Sequence, residues 1–555
     1  MSIRHRVHRV IYVPLDSRPC NLGHVQMLAR MVDYEFLMPP TELLGHYTTA
    51  GRVEEITEWL FREATDGIDC VILSLDMLAY GGLVSSRSRD VRTAVALERL
   101  DALTELRQIL PEAAIYAHNT IMRLSITASS DEAAINWELL RQYSELKGRL
   151  EALGEEQDRR QLEELEKQIP ISVLGTYEAC RERNHQVNRR AVEETANGNI
   201  DFLLLAQEDA AKYGPHVDEQ AQLRRLIQRH GLGKRVQIHP GADELGQTLF
   251  ARFVHTHMEK VPTAYVMYAN AADADNIATF EDRPFSETLA GQMETIGVEV
   301  SEDPATADFV LAINPPVQGR RADYDQGEAR KAQAEAFFET IATRMGDRQV
   351  AICDVAFPNG AEDCFAKAML ARQFPPRQML AFAAWNTAAN SVGSALAHAS
   401  LRLIALQDKG AFDLANILID LTPMRYLQLL DTLIDSERAH INLLFYHIAD
   451  DWLYQTRVRP QVTEHVVNML RASVFNLADS EPRVQNMVSD LLVRAIADLW
   501  ATHFLGKESV RIGPHEATTS LALAELEETR ITLPWGRLFE VDLQFTFGIE
   551  LVANT

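Results

Sequence analysis

The sequence predicts an α/β protein: two doubly wound, Rossmann- or flavodoxin-like parallel-sheet domains followed by a mainly helical C-terminal region. Three observations predict it. Short apolar runs rich in Val, Ile and Leu alternate with amphipathic helical stretches, the pattern of a parallel sheet covered on both faces. The same order occurs in two halves of the chain. At least eight of the apolar runs lead straight into a polar turn, and in such sheets ligands bind at the carboxyl ends of the strands. A (β/α)8 barrel with insertions is the alternative, although the ten or eleven strand-like runs exceed its eight strands.

The first domain is read over 1–260. VIYVPLD is its first strand, followed by the helical NLGHVQMLARMV, a short polar strand YEFLMP, the helix EEITEWLFREA and the apolar strand CVILSLD. IYAHNTIMR, FLLLAQED and VQIHPGADE continue the sheet. A Glu-, Arg- and Leu-rich insertion over 131–198 reads as a solvated helical hairpin, with charges spaced for exposed helix pairs. The second domain, 261–410, repeats the order with AYVMYAN, VEVSED, FVLAINP, VAICDVA and LAFAAWN. In both halves the second strand is short and polar, as an edge strand would be. The C-terminal region, 411–555, carries amphipathic helices and ends in a strand, ITLPWGRLFEVDLQFTF.

Carboxylates dominate the strand ends. Asp16 and Asp76 each follow an apolar strand; Glu208 and Asp209 are adjacent after FLLLAQ, and Asp243 and Glu244 after VQIHPGA. Clustered acids repel one another, so one should stay protonated near neutral pH, which makes an acid/base pair of the kind glycoside hydrolysis needs. Asp209 and Asp243 are the expected pair. Arg18, Arg123, Asn119, His239, Asn359, Asn386 and Asn390 are candidates to hold a substrate, with pairing to the acids the alternative for the arginines, and Tyr80, Tyr213 and Trp385 are candidates to stack on a sugar ring. A lone acid at such a position is equally suited to capping a helix.

Other classes find less support. With 79 acidic and 54 basic residues the formal charge is −25, which disfavours nucleic acid and anionic membranes as partners. No run approaches the ~20 apolar residues of a membrane span. The N-terminus lacks a secretory cleavage pattern, so a cytoplasmic location is expected. The five cysteines form no CxxC pair, and Cys20, beside the first strand end, has no general base next to it in sequence. There is no GxSxG elbow, no GxxxxGK[ST] loop and no HExxH. No cofactor is therefore expected. The alternative is a divalent metal held by the same acids and His239.

The runs VPLDSRPCN, SLDMLAYGGLVSSR, PGADE, YANAADADNIATFEDRP and AWNTAANSVGSALAHA together resemble a bacterial family catalogued as a domain of unknown function. Its members are of similar length, so the resemblance covers nearly the whole chain. It implies a shared site and no particular activity. It also implies paired aspartates where this chain has Gln207, Glu208 and Asp209, so Glu208 stands in for an aspartate.

The reading is an intracellular carbohydrate-active hydrolase, a glycosidase acting on a small sugar or N-acetylated sugar. A metal-dependent hydrolase or lyase using the same acids is one alternative, and a non-catalytic small-ligand sensor is another. The C-terminal helices could pair two copies as a homodimer or pack on the α/β core.

Overall fold

The computed structural model describes residues 8–317, 327–346, 348–408, 423–512 and 519–553. The chain forms two compact units. One is drawn from Met1–Leu22, Glu35–Phe253 and Thr279–Thr295, the other from Gly23–Tyr34, Val254–Ala278 and Ile296–Thr555.

The first unit is built on a six-stranded sheet: β1 (His8–Val13), β2 (Tyr34–Leu37), β3 (Cys70–Ser74), β4 (Ala114–Ile121), β5 (Phe202–Gln207) and β6 (Val236–Pro240), in the order β2-β1-β3-β4-β5-β6. The pairings from β1 through β6 are parallel. β3 and β5 are buried along their whole length, which is why they read as continuous apolar runs without alternation. β2, with Glu35 exposed, lies at the edge, where a polar side chain is tolerated. Ile11, Val13, Val71, Leu73, Ile115 and Leu203 pack in one apolar core, each such side chain stabilising the fold by about 1.5–3 kcal/mol.

The insertion is three helices, Asp131–Leu153, Glu156–Glu166 and Ile171–Ala196, where the sequence suggests a hairpin. Ser130 caps the first, its hydroxyl accepting the Ala133 N–H. Gly154, at φ 68°, ends it, a left-handed turn that glycine adopts without strain.

The second unit carries β7 (Thr263–Tyr268), β8 (Glu299–Val300), β9 (Phe309–Asn314), β10 (Val350–Asp354) and β11 (Met379–Ala383), in the order β8-β7-β9-β10-β11 and parallel throughout. Renumbered within its own sheet this is 2-1-3-4-5, and the first unit starts with the same winding. Both sheets are open, with edges at β2 and β6 and at β8 and β11, so the barrel alternative is overturned. A barrel would need the end strands to pair.

The predicted boundary at 410/411 lies outside the described residues. Beyond it come the helices Pro423–His447 and Glu481–His503, with the π-helix Ile448–Val458 continuing the former. The chain ends in more than the single strand expected. β12 (Glu508–Ile512), β13 (Thr519–Thr532) and β14 (Asp542–Ala553) make an antiparallel sheet in that order. Among the described residues no helix is long and apolar enough to cross a membrane.

Candidate functional site

In the first sheet the order reverses between β1 and β3, and the loops leaving these strands diverge, the arrangement that opens a crevice at their carboxyl ends. Asp16 follows β1 and Asp76 follows β3. A short turn, Pro19–Asn21, carries the chain away from β1 and folds Arg18 back over Asp16.

Arg18 is the hub. Its Nη2 donates to Asp16 Oδ2 at 2.7 Å and to Asp243 Oδ1 at 2.5 Å, and its Nη1 reaches Asp243 Oδ2 at 3.1 Å. Two acids 227 positions apart in sequence thus share one guanidinium group. Those two oxygens can be no further apart than the sum of their distances to Nη2, 5.2 Å. Asp16 also accepts from Arg18 Nε at 2.9 Å and from Asn21 Nδ2 at 2.8 Å. All three members are about 95% buried. Burial pushes the Asp243 carboxyl up; Arg18 opposes the rise, while Asp16 and Glu208 add to it.

Two further arginines hold the β5 acids. Arg87 pairs with Glu208 and donates to Thr127 Oγ1 at 2.7 Å. Arg123 pairs with Asp209, and its Nε is 3.4 Å from Glu208 Oε1. Burial brings Arg123 down to about 10. Asp209 and Arg123 are the more open members, each with 18% of the side chain exposed. Asp76 is fully buried and accepts from the Thr120 N–H and hydroxyl, both at 2.8 Å. Burial raises it to about 7 against those bonds, with Glu208 contributing. The predicted acids Asp16 and Asp243 thus share Arg18, Glu208 and Asp209 share Arg87 and Arg123, and Asp76 stays on Thr120; the groups feel one another electrostatically.

The remaining candidates separate by what they touch. Glu244 faces its own turn, accepting from the Ala242 N–H at 3.0 Å and from Gln292 Nε2 at 2.7 Å, and burial raises it to about 7. Asn119 is fully buried and donates to Asn188 Oδ1 at 2.8 Å, tying β4 to the long insertion helix. His239 donates from Nδ1 to the Pro240 carbonyl and accepts the Thr295 hydroxyl at Nε2, both at 2.8 Å. Both ring nitrogens are thus engaged, and burial brings its pKa down to about 4. Tyr80 is 1% exposed with the Arg183 guanidinium 4.5 Å from its ring centre, so the stacking role expected of it is corrected. The helix Leu75–Tyr80 is buried on every side and turns the ring inward. Tyr213 stays partly open, with Lys212 Nζ 5.5 Å from its ring centre.

Asn359, Trp385, Asn386 and Asn390 belong to the second unit, after β10 and β11. Asn359 donates its N–H to the Asn386 carbonyl at 2.9 Å, and both residues are left-handed, at φ 59° and 63°. Trp385 packs on Phe539 with ring centres 5.7 Å apart.

Among the described residues no three His, Cys, Asp or Glu side chains stand as a metal-binding group. Asp16, Asp243, Glu208 and Asp209 pair with guanidinium groups, whereas Asp76 and Glu244 accept from amide and hydroxyl donors. Sequence reasoning missed Arg18 as a bridge between acids, and Thr120 and Gln292 as their partners. The pairing of arginines with acids is an expected alternative, but the bridge between two acids distant in sequence is not.

A family model described as "Protein of unknown function (DUF4127)" matches residues 10–544, as the motif resemblance implied. No curated protein matches the chain.

Proposed function

The chain belongs to the DUF4127 family of proteins of unknown function, and we propose that its first unit is a glycoside hydrolase acting on a small sugar or N-acetylated sugar. The observation that supports this is the Asp16–Arg18–Asp243 unit: two carboxylates, one guanidinium, and facing oxygens within 5.2 Å of each other. That bound lies short of the about 6.5–9.5 Å between the carboxyl groups of inverting glycosidases, which favours a retaining mechanism. Asp243, raised by burial, is the acid/base. Asp16, with its oxygens held by Arg18 and Asn21, is the nucleophile. Arg18 keeps both acids aligned and offsets their mutual repulsion.

In this mechanism Asp243 protonates the glycosidic oxygen as Asp16 attacks the anomeric carbon. Asp243 then takes a proton from the water that releases the sugar. Asp209 and Arg123, the more open pair, contact substrate hydroxyls.

The test is hydrolysis of a panel of aryl glycosides and aryl N-acetyl-aminoglycosides, with and without chelator. Chelator-resistant release that falls at least 10³-fold in both Asp16→Asn and Asp243→Asn is expected. Unchanged turnover in both variants would sink the proposal. Chelator-sensitive release would move the acids into a metal site, and tight sugar binding without turnover would favour a sensor.

A further inference from the structure

The second unit holds a polar cluster of its own. His447 ends the helix Pro423–His447, and Asp451 lies one turn later, in the π-helix Ile448–Val458. His447 Nδ1 is 3.2 Å from Asp451 Oδ2, and the same oxygen accepts the Ala384 N–H at 2.6 Å. The dyad is thereby fixed to the carboxyl end of β11. A carboxylate only accepts, so Nδ1 carries the proton and Nε2 keeps its lone pair.

Among the described residues that Nε2 has no hydrogen-bond partner, and neither has Asp451 Oδ1, although the residues are only 4% and 1% exposed. His24 meets the His447 ring edge-on at 4.9 Å with both nitrogens unpartnered. His398 has Nδ1 unpartnered while its Nε2 meets His440 Nδ1 at 3.0 Å. Trp385, next along from Ala384, has an unpartnered buried indole N–H. An orphaned buried polar group costs about 1–3 kcal/mol, so a core built only for packing would carry apolar side chains here. Burial holds His24 and His398 well below the usual histidine range, so they are neutral at pH 7. A π-helix is rare and is frequently found at functional sites.

We propose that His447 and Asp451 form a second acid/base centre, which activates water for attack on a neutral ester or amide. Nε2 takes a proton from water as the water oxygen bonds to the acyl carbon, and Asp451 stabilises the imidazolium. The acyl C–O or C–N bond then breaks, its electron pair leaving with the departing atom, which receives the proton from Nε2. Of these neutral groups, the His24 ring, edge-on to His447 at 4.9 Å, offers an N–H to the developing oxyanion. None of them is cationic at neutral pH, which favours a neutral acyl group over phosphate or carboxylate.

Two measurements on the full chain test this. The first is ¹⁵N NMR of histidine-labelled protein. It should show His447 protonated at Nδ1 and bare at Nε2; an Nε2–H form would overturn the proposal and needs no variant to fold. The second uses 4-nitrophenyl acetate as a neutral acyl probe. Hydrolysis should fall at least 100-fold in His447→Gln and 10-fold in Asp451→Asn, and stay within twofold in His230→Gln, which replaces an exposed histidine. Rates within twofold of wild type in both dyad variants would also overturn it.

Discussion

Replacing Arg18 by Met tests the central ion-pair network directly. The side chain is 4% exposed and donates to both Asp16 and Asp243, through Nε and both Nη atoms. Removing one partner of a buried pair leaves an uncompensated charge and costs about 3–5 kcal/mol. Asp243 loses the two guanidinium bonds it accepts. Asp16 keeps the Asn21 amide at 2.8 Å and the backbone N–H of residue 18 at 3.0 Å. The second change, Asp243→Asn in the Arg18→Met background, removes the stranded charge. It should leave the double variant about 2 kcal/mol more stable than the sum of the single effects. The deficit of Arg18→Met should also shrink on acidification, because Asp243, deprived of the guanidinium group, takes up a proton more readily. The assay is urea unfolding of the full chain at pH 7 and pH 5, following the transition of the first unit. Additivity within about 0.5 kcal/mol, or a deficit that does not change with pH, would refute the bridging role of Arg18.

Other expectations follow from the same residues. Asp76 is raised to about 7 in the folded protein, above its unfolded value, so its protonation stabilises the fold at low pH. That contribution is complete below about pH 4 and is lost as pH rises through 7. Relative to Asp76→Asn, wild type should therefore lose about 3 kcal/mol of stability between pH 5 and pH 8; a constant difference across that range would contradict the raised carboxyl. Gly246 faces Tyr12, whose hydroxyl oxygen would lie 2.2 Å from an added Cβ. Gly246→Ala should cost about 1–3 kcal/mol by overpacking. Tyr12→Phe, which deletes a buried oxygen without a hydrogen-bond partner among the described residues, should be neutral or stabilising and should lessen that cost; urea midpoints of the two single variants and the double variant report it.

Much of the fold was legible because the relevant forces are local. β3 and β5 are buried on both faces, so their sequences are unbroken apolar runs. β2 and β8 are edges, so theirs are short and polar. The repeated order of elements foretold the repeated winding. The C-terminal sheet was underread, because the long strands β13 and β14 alternate core and solvent faces, and charged residues interrupt β13. Tyr80 was misread for a different reason. Its motif sits at a strand end, but the helix after it turns the ring away from the crevice and under Arg183.

The sequence by itself determined that two wound sheets form and that acids gather at their carboxyl ends, since strand burial and polar turns are written in residue type and spacing. Only the tertiary structure decided how those acids are used. Arg18 and Asp243 lie 225 positions apart, and no local pattern says that one guanidinium group will serve two carboxylates. The same holds for Asp76, whose raised pKa comes from complete burial beside β4, and for His447, whose free nitrogen follows from Asp451 being pinned by the Ala384 amide. Proximity and desolvation set proton affinities, and both exist only once the chain has folded.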